Sequence, residues 1–324
     1  TAYGQFMYVD LTVQTESGGS LTQFGVPVTV PVTNPFIPAN LRAILASRPN
    51  ATAPFTINGR YVGLPYKGWD ENYVVQQYLA GLRGEIAPGW KFDLFAAYDQ
   101  TVHNQAAKNV VVKSRVQQLL NAAGGGASLC AGGYKPFGDA NARSLSAACQ
   151  AFIAKTAFSH ERLSQTQVQG QINGNLFDLG AGPAQIAAVA AYRENTYDYV
   201  PDSDLAAQNL ESVIASAAAS GRISLKEAAV QLDVPLLAGH AFFHELGIGG
   251  AFRVSDYSTT GTVTSYEGDV RWRPVAPLLI RGSYQRAVRS PNIQELLLQQ
   301  RVQLNGNQDP CAGADPEFSL DLCA

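Results

Sequence analysis

The sequence predicts an all-β chain folded as the wall of a transmembrane antiparallel β-barrel, and three observations lead there. Segments of about ten residues alternate apolar and polar side chains, as tilted membrane strands do. No run approaches the ~18 apolar residues of a membrane helix. Charged residues make up 15% of the 324, against roughly 25% in an ordinary soluble domain. The clearest case is TVTSYEGDVRWRPVAPLLIRGSYQRAVRS at 262–290. Tyr266, Gly268, Val270 and Trp272 share one face and Glu267, Asp269, Arg271 and Arg273 the other, because strand side chains alternate with period 2. In a soluble half-buried strand the charged face meets water and the apolar face meets a core. In a membrane barrel the apolar face meets lipid and the charged face lines a wet interior. One hairpin fits both, so the weight falls on recurrence.

The pattern recurs along most of the chain. Met7, Val9, Leu11 and Val13 oppose Tyr8, Asp10 and Thr12 in a first strand over 1–15. Val74, Tyr78, Ala80, Leu82 and Ile86 oppose Gln77, Arg83 and Glu85 over 71–86, with Gln76 an exception on the apolar side. Trp90, Phe92, Leu94, Ala96 and Tyr98 form an apolar row over 90–104. Strands follow at 161–178, 184–199, 225–236, 245–258, 262–274 and 278–290, which makes nine crossings. Segment 225–236 is contested: its propensity favours helix, yet Ala228, Val230, Leu232 and Val234 alternate with Glu227, Gln231 and Asp233, and the barrel needs a crossing there. Connections at 87–89, 179–183, 237–244 and 275–277 are short, and those at 16–70, 105–160 and 200–224 are long. Outer-membrane barrels put short turns in the periplasm and long loops outside. FTINGRYVG at 55–63 reads as a strand too; counted as a crossing it would reverse that order, so it belongs to a hairpin within the first long loop. In the second, Val112, Val116, Leu119 and Leu120 stand at helical spacing before Gly124, Gly125 and Gly126, predicting a short amphipathic helix over 110–122.

The chemistry-bearing residues point to a wall and its loops. A net charge of −3 gives no ground for a nucleic-acid partner. The cysteines fall in two local pairs, and Cys130–Cys149 and Cys311–Cys323 are the expected disulfides, because crossed pairs would tie loops of separate hairpins. Zinc is disfavoured by the absence of CxxC spacing and of nearby histidines, and disulfides imply an oxidising compartment. His240 and His244 flank a proposed turn rather than forming HExxH. LGAGPAQIA at 179–187 has Gln185 where a dinucleotide fingerprint needs its third glycine. No catalytic residue, metal ligand or cofactor site is assigned, and the chain is read as no enzyme. Arg281, Gln285 and Arg289 take the inward parity of their strand, beside Glu267, Asp269 and Arg271 of the preceding one. They are the candidates to face an internal domain or a passing ligand; the alternative is a structural charge ladder between neighbouring strands. Loop aromatics Phe36, Tyr61, Tyr66, Trp69 and Tyr134 have two readings as well: stacking on a ligand, or packing the loop.

RGSYQRAVRSPNIQELL at 281–297 resembles the strand and loop of TonB-dependent outer-membrane receptors, where an SY-RA-R-PN-EL pattern recurs. GAFRVSDYSTTGTVTSYEGDVRWRP at 250–274 resembles the hairpin before it, NLFDLGAGPAQIAAVAAYRENTYDYVPD at 175–202 the hairpin before that, and NPFIPANLRAILASRP at 34–49 an extracellular loop. The resemblance implies a 22-stranded barrel holding a plug domain, of which about nine strands lie in this chain. It also implies uptake of a siderophore, cobalamin or oligosaccharide with energy relayed by TonB, in the outer membrane of a Gram-negative bacterium. On this reading residues 1–324 are an internal part of the barrel domain, with the plug, the TonB box and the C-terminal strands outside it. A passive porin-like or adhesin-like barrel fits the same faces. A secreted soluble β-protein that binds glycans would instead bury the apolar rows against a second sheet.

Overall fold

The computed structural model describes residues 1–17, 26–59, 67–137, 145–211 and 216–297. Its strands are β1 (Ala2–Ser17), β2 (Val26–Val30), β3 (Phe55–Gly59), β4 (Lys67–Ala87), β5 (Trp90–Val111), β6 (Ala154–Asp178), β7 (Pro183–Val200), β8 (Ala219–His240), β9 (Phe243–Tyr257), β10 (Gly261–Val275) and β11 (Leu278–Arg286). Nine of them form one antiparallel sheet in the order β1-β4-β5-β6-β7-β8-β9-β10-β11, while β2 and β3 pair only with each other. The nine crossings are therefore present, and the segment beginning at Phe55 stays outside the sheet. Residues 225–236 are strand, because pairing with β7 and β9 on both sides outweighs a few tenths of a kcal/mol per residue of helix propensity.

The register carries one parity across the sheet. Trp272 pairs with Ile280 and Leu246, Phe252 with Tyr266 and Val230, Ile186 with Leu232, Leu94 with Leu82, and Phe6 with Tyr78. Directly opposed residues share a face, so even-numbered residues form one continuous surface, interrupted by bulges near the short turns and by one between Ala107 and Val110 at the outer end of β5. That surface is apolar and bare: Phe6, Leu94, Phe252 and Ile280 are all exposed. A band so large and uncovered suits lipid and not water. On β5 it runs from Trp90 to Tyr98, about 26 Å along the strand at 3.3 Å per residue, or roughly 20 Å of height at a 40° tilt. β6 has 25 residues, on the order of 80 Å. The strands thus rise well beyond the band, toward the long-loop end. There both faces are polar, and Asp10, Asn72 and Thr12 join in hydrogen bonds of 2.7 and 3.2 Å.

Two folded regions cap that end. The β2–β3 hairpin, α1 (Ala39–Ala46), α2 (Lys113–Asn121) and α3 (Ala147–Ile153) enclose a core of Val30, Val116, Leu119, Leu120 and Ile153, stapled by a Cys130–Cys149 disulfide. α2 begins later than the spacing predicts, because Val110 and Val111 end β5 and are fully buried there. Cys311 and Cys323 lie outside the described residues. The second region packs Leu205 of α4 (Ser203–Ala206) and Leu210 against Val110, Val112 and Trp69. The loop aromatics turn inward: Tyr134 is buried, and Phe36 sits beside Gly125 with Lys135 5.6 Å from its ring. Tyr61 and Tyr66 lie outside the described residues.

Two expectations need correction. Met7, Val9, Leu11 and Val13 do not share the lipid-facing row, since they pair with Gln77, Val75, Tyr73 and Glu71 on the odd-numbered face. The outward residues of β1 include Ala2, Gly4, Phe6 and Tyr8, with the Phe6 and Tyr78 rings 5.1 Å apart. Arg289 does not stand on the wall either. β11 ends at Arg286, and the Arg289 guanidinium binds Glu295 at 3.0 and 3.1 Å in α5 (Ile293–Leu297). Glu295 in turn accepts from the Asn292 amide at 2.8 Å, a capping arrangement that turns the chain away from the strand direction.

Candidate functional site: the concave wall

The odd-numbered face is concave. One cavity of about 880 Å³ is lined by residues from Lys91 on β5 to Gln285 on β11, so the sheet curls around it. Glu267 and Gln285, both candidates from the sequence, line this cavity and pair with each other in register. Asp269 and Arg271 stand on the same face but do other work. Arg271 binds Asp233 of β8, reaching over the intervening strand β9. It can do so because β9 presents Gly247 and Gly249 there: a Cβ on Gly249 would overlap the Asp269 carboxylate, and one on Gly247 would crowd the Arg271 guanidinium. Two glycines at alternate positions were the signal in the sequence for this strand-skipping pair. Arg253 binds Glu227, and Arg273 binds Glu245 at 3.2 Å, so the charge ladder extends over β8, β9 and β10. Arg281, opposite Arg271, has no ion pair among the described residues.

The other flank of the wall also holds internal contacts. Tyr3 of β1 donates to Asp93 of β5 and covers Gly81 of β4 between them, with Arg83 5.2 Å from its ring. Glu85 accepts from the Gly89 amide at 2.8 Å in the turn, where Gly89 takes a positive φ of 77° that a side chain would disfavour. Between the two flanks lies a lane that sequence reading missed. The inward face of β6 carries an amide at every second position, Gln165, Gln167, Gln169, Gln171, Asn173 and Asn175, a period-2 signal hidden because it bears neither charge nor hydrophobicity. Near the short-turn end Gln185 of β7 and Gln231 of β8 join it around the cavity. High on the wall, His103 stacks on Tyr73 at 4.1 Å and lies 3.3 Å from Glu161 and 3.7 Å from Glu71.

The lipid-facing tryptophans lie at the short-turn end. Trp90 lies on Gly174, whose missing side chain makes room for the indole. Trp272 donates from Nε1 to the Phe242 carbonyl at 2.8 Å, with apolar ring and polar N–H placed as an interfacial indole requires. His240 ends β8 and His244 is the second residue of β9, across a two-residue turn, and LGAGPAQIA is a turn entering strand β7, not a helix.

An inside-out antiparallel sheet with short turns at one end and folded loops at the other narrows the chain to outer-membrane barrels. The model of the family described as TonB dependent receptor-like, beta-barrel, matches residues 12–319. The chain belongs to this family. No curated protein and no solved structure matches it individually. TonB-dependent receptors are transporters of the Gram-negative outer membrane, not enzymes. In a TonB-dependent receptor barrel the concave wall lines the lumen, the short turns are periplasmic and the capped end is extracellular.

Proposed function

We propose that this chain supplies part of the barrel wall of a receptor for energy-coupled uptake of a scarce ligand, in the class of siderophores, cobalamin or oligosaccharides. The observation that carries this reading is the family match over nearly the whole chain; a wet charged wall behind a lipid-facing band supports it. In the described sheet β1 and β11 form the two edges. Unpaired edge groups are costly in hydrocarbon, so we place the nine strands within a larger closed barrel whose lumen holds a plug domain engaged by TonB. Uptake should therefore stop when TonB is lost. The test is accumulation of radiolabelled candidate ligands by cells expressing the full-length protein, with and without functional TonB. Accumulation that is the same in both would make the barrel a passive pore.

A further inference from the structure

We propose that the turn between β8 and β9 is a membrane anchor, whose Phe242 side chain inserts into the inner-leaflet phospholipid interface of the outer membrane. The observation that carries it is a strained backbone. Ala241 and Phe242 join the two strands, and Phe242 holds a positive φ of 61°. The two-residue turn between β4 and β5, Pro88 and Gly89, has its positive φ at the same second position, and there the residue is glycine. A side chain is disfavoured in that conformation, so turns place Gly or Asn there. A bulky aromatic residue is a genuine outlier at positive φ, and such outliers cluster where the side chain has a function. Phe242 is also 74% exposed, the most of any large apolar residue among the described residues. Burial therefore does not offset the strain.

The surroundings of the turn are lipid-facing surface. Trp272, on the outward face of β10, donates from Nε1 to the Phe242 carbonyl at 2.8 Å, and the Phe243 ring lies 6.2 Å from the indole. The turn is thus drawn to the lipid side of the wall, at the level where an indole N–H meets headgroups. Ile280, opposite Trp272, is exposed, and so are Val275 and Leu278 at the neighbouring turn. Phe242 therefore extends the apolar band instead of starting a separate patch, and that continuity selects lipid over a periplasmic protein as its occupant. His240 and His244, both exposed, bracket the ring with imidazole N–H groups that can donate to lipid phosphate. The anchor acts on the membrane and not in the lumen, so it does not depend on the uptake reading.

The test uses the full-length protein in vesicles of phosphatidylethanolamine and phosphatidylglycerol. A nitroxide is attached at Phe242→Cys without reducing agent, so that the Cys130–Cys149 disulfide stays closed. Oxygen, which collects in the bilayer, should relax this label more strongly than a water-soluble nickel chelate does, and a label at Ser47→Cys on the cap should show the reverse. A nitroxide at position 242 that responds more to the chelate overturns the proposal and leaves the ring for a periplasmic protein. Urea unfolding in the same vesicles gives a second readout. Asn suits the backbone of this position and Leu does not, so an idle ring predicts that Phe242→Asn unfolds at higher urea than the parent. An anchor predicts the opposite: Phe242→Asn unfolds at lower urea, while Phe242→Leu stays close to the parent. A midpoint for Phe242→Asn at or above that of the parent overturns the proposal as well.

Discussion

The sheet and its extracellular cap are folded by opposite solvents. In the cap Val30, Val116, Leu119, Cys149 and Ile153 are 0% exposed around one core, and polar groups face out, as in any small soluble domain. In the sheet Leu94 is 47% exposed and Phe252 47%, and the polar groups bind one another across the concave side. The hydrophobic effect organises the first. Backbone pairing and lipid contact organise the second, where every N–H and C=O in the hydrocarbon must find a strand partner. Damage to one region should therefore leave the other intact.

The largest effect is expected in the cap. Leu119→Ala removes a fully buried side chain and should cost about 2–5 kcal/mol, read as faster hydrogen exchange in α2 and α3 while β5 to β8 keep their protection. Reducing Cys130–Cys149, which closes a separation of 19 residues, should loosen the same amides by about 3 kcal/mol. Equal loss of protection in the sheet would show that the two regions do not fold independently.

A pair of arginine substitutions sharpens the contrast within the sheet. Leu94 is the midpoint of the outward row from Trp90 to Tyr98, and Ala97 faces inward near Asp99. Leu94→Arg should destabilise the barrel by about 2–4 kcal/mol, while Ala97→Arg, in the wet lumen, should cost well under ~1 kcal/mol. Urea unfolding of the full-length protein in lipid vesicles measures both. A soluble β-protein with Leu94 outside would reverse the order.

What the sequence made legible was the lipid-facing band, because only there do the two faces differ sharply. β1 was misread because both of its parities are apolar, with Phe6 and Tyr8 on one and Met7 and Val9 on the other. Period alone could not choose, and pairing with Tyr78, along with the Tyr3 bond to Asp93, fixed the side. Strand lengths were underestimated for a related reason: beyond the band both faces are polar, so the extensions of β4, β5 and β6 carry no alternation to detect. The strand end before Arg289 was set by a local cap through Asn292 and Glu295, which outweighs the parity of the preceding residues. Asp269 and Arg271 were recognised as inward but not as a span over β9, which depends on glycines in a third strand.

The smallest effect is expected at the second capped region, and it depends on pH. Lys155 joins Asp202 at 2.9 Å and Asp204 at 2.7 Å, and Asn209 donates to Asp204 at 2.8 Å while accepting from the Ser114 amide at 3.0 Å. This latch holds the loop of α4 against the start of β6, through Lys155, and the start of α2, through Ser114. Burial works to raise the Asp202 carboxyl, but the Lys155 hydrogen bond, the Asp204 and Phe158 amides and the ammonium charge together hold it below the usual range. Asp204 is held low first by Lys155 and then by Asn209. Because both folded-state values are depressed, their contribution is fully present above the unfolded carboxylate value of ~3.9. It is lost as pH falls through the lower folded-state values. Asp204→Asn should weaken the latch by about 1–2 kcal/mol and flatten that acid dependence. Trp69 packs against Leu205 and Leu210 and reports on the latch directly. In a Trp90→Phe/Trp272→Phe background its emission should shift red on acidification below about pH 4, and Asp204→Asn should show part of that shift already at neutral pH. A red shift on raising pH instead would mean that a group other than these carboxylates controls the loop.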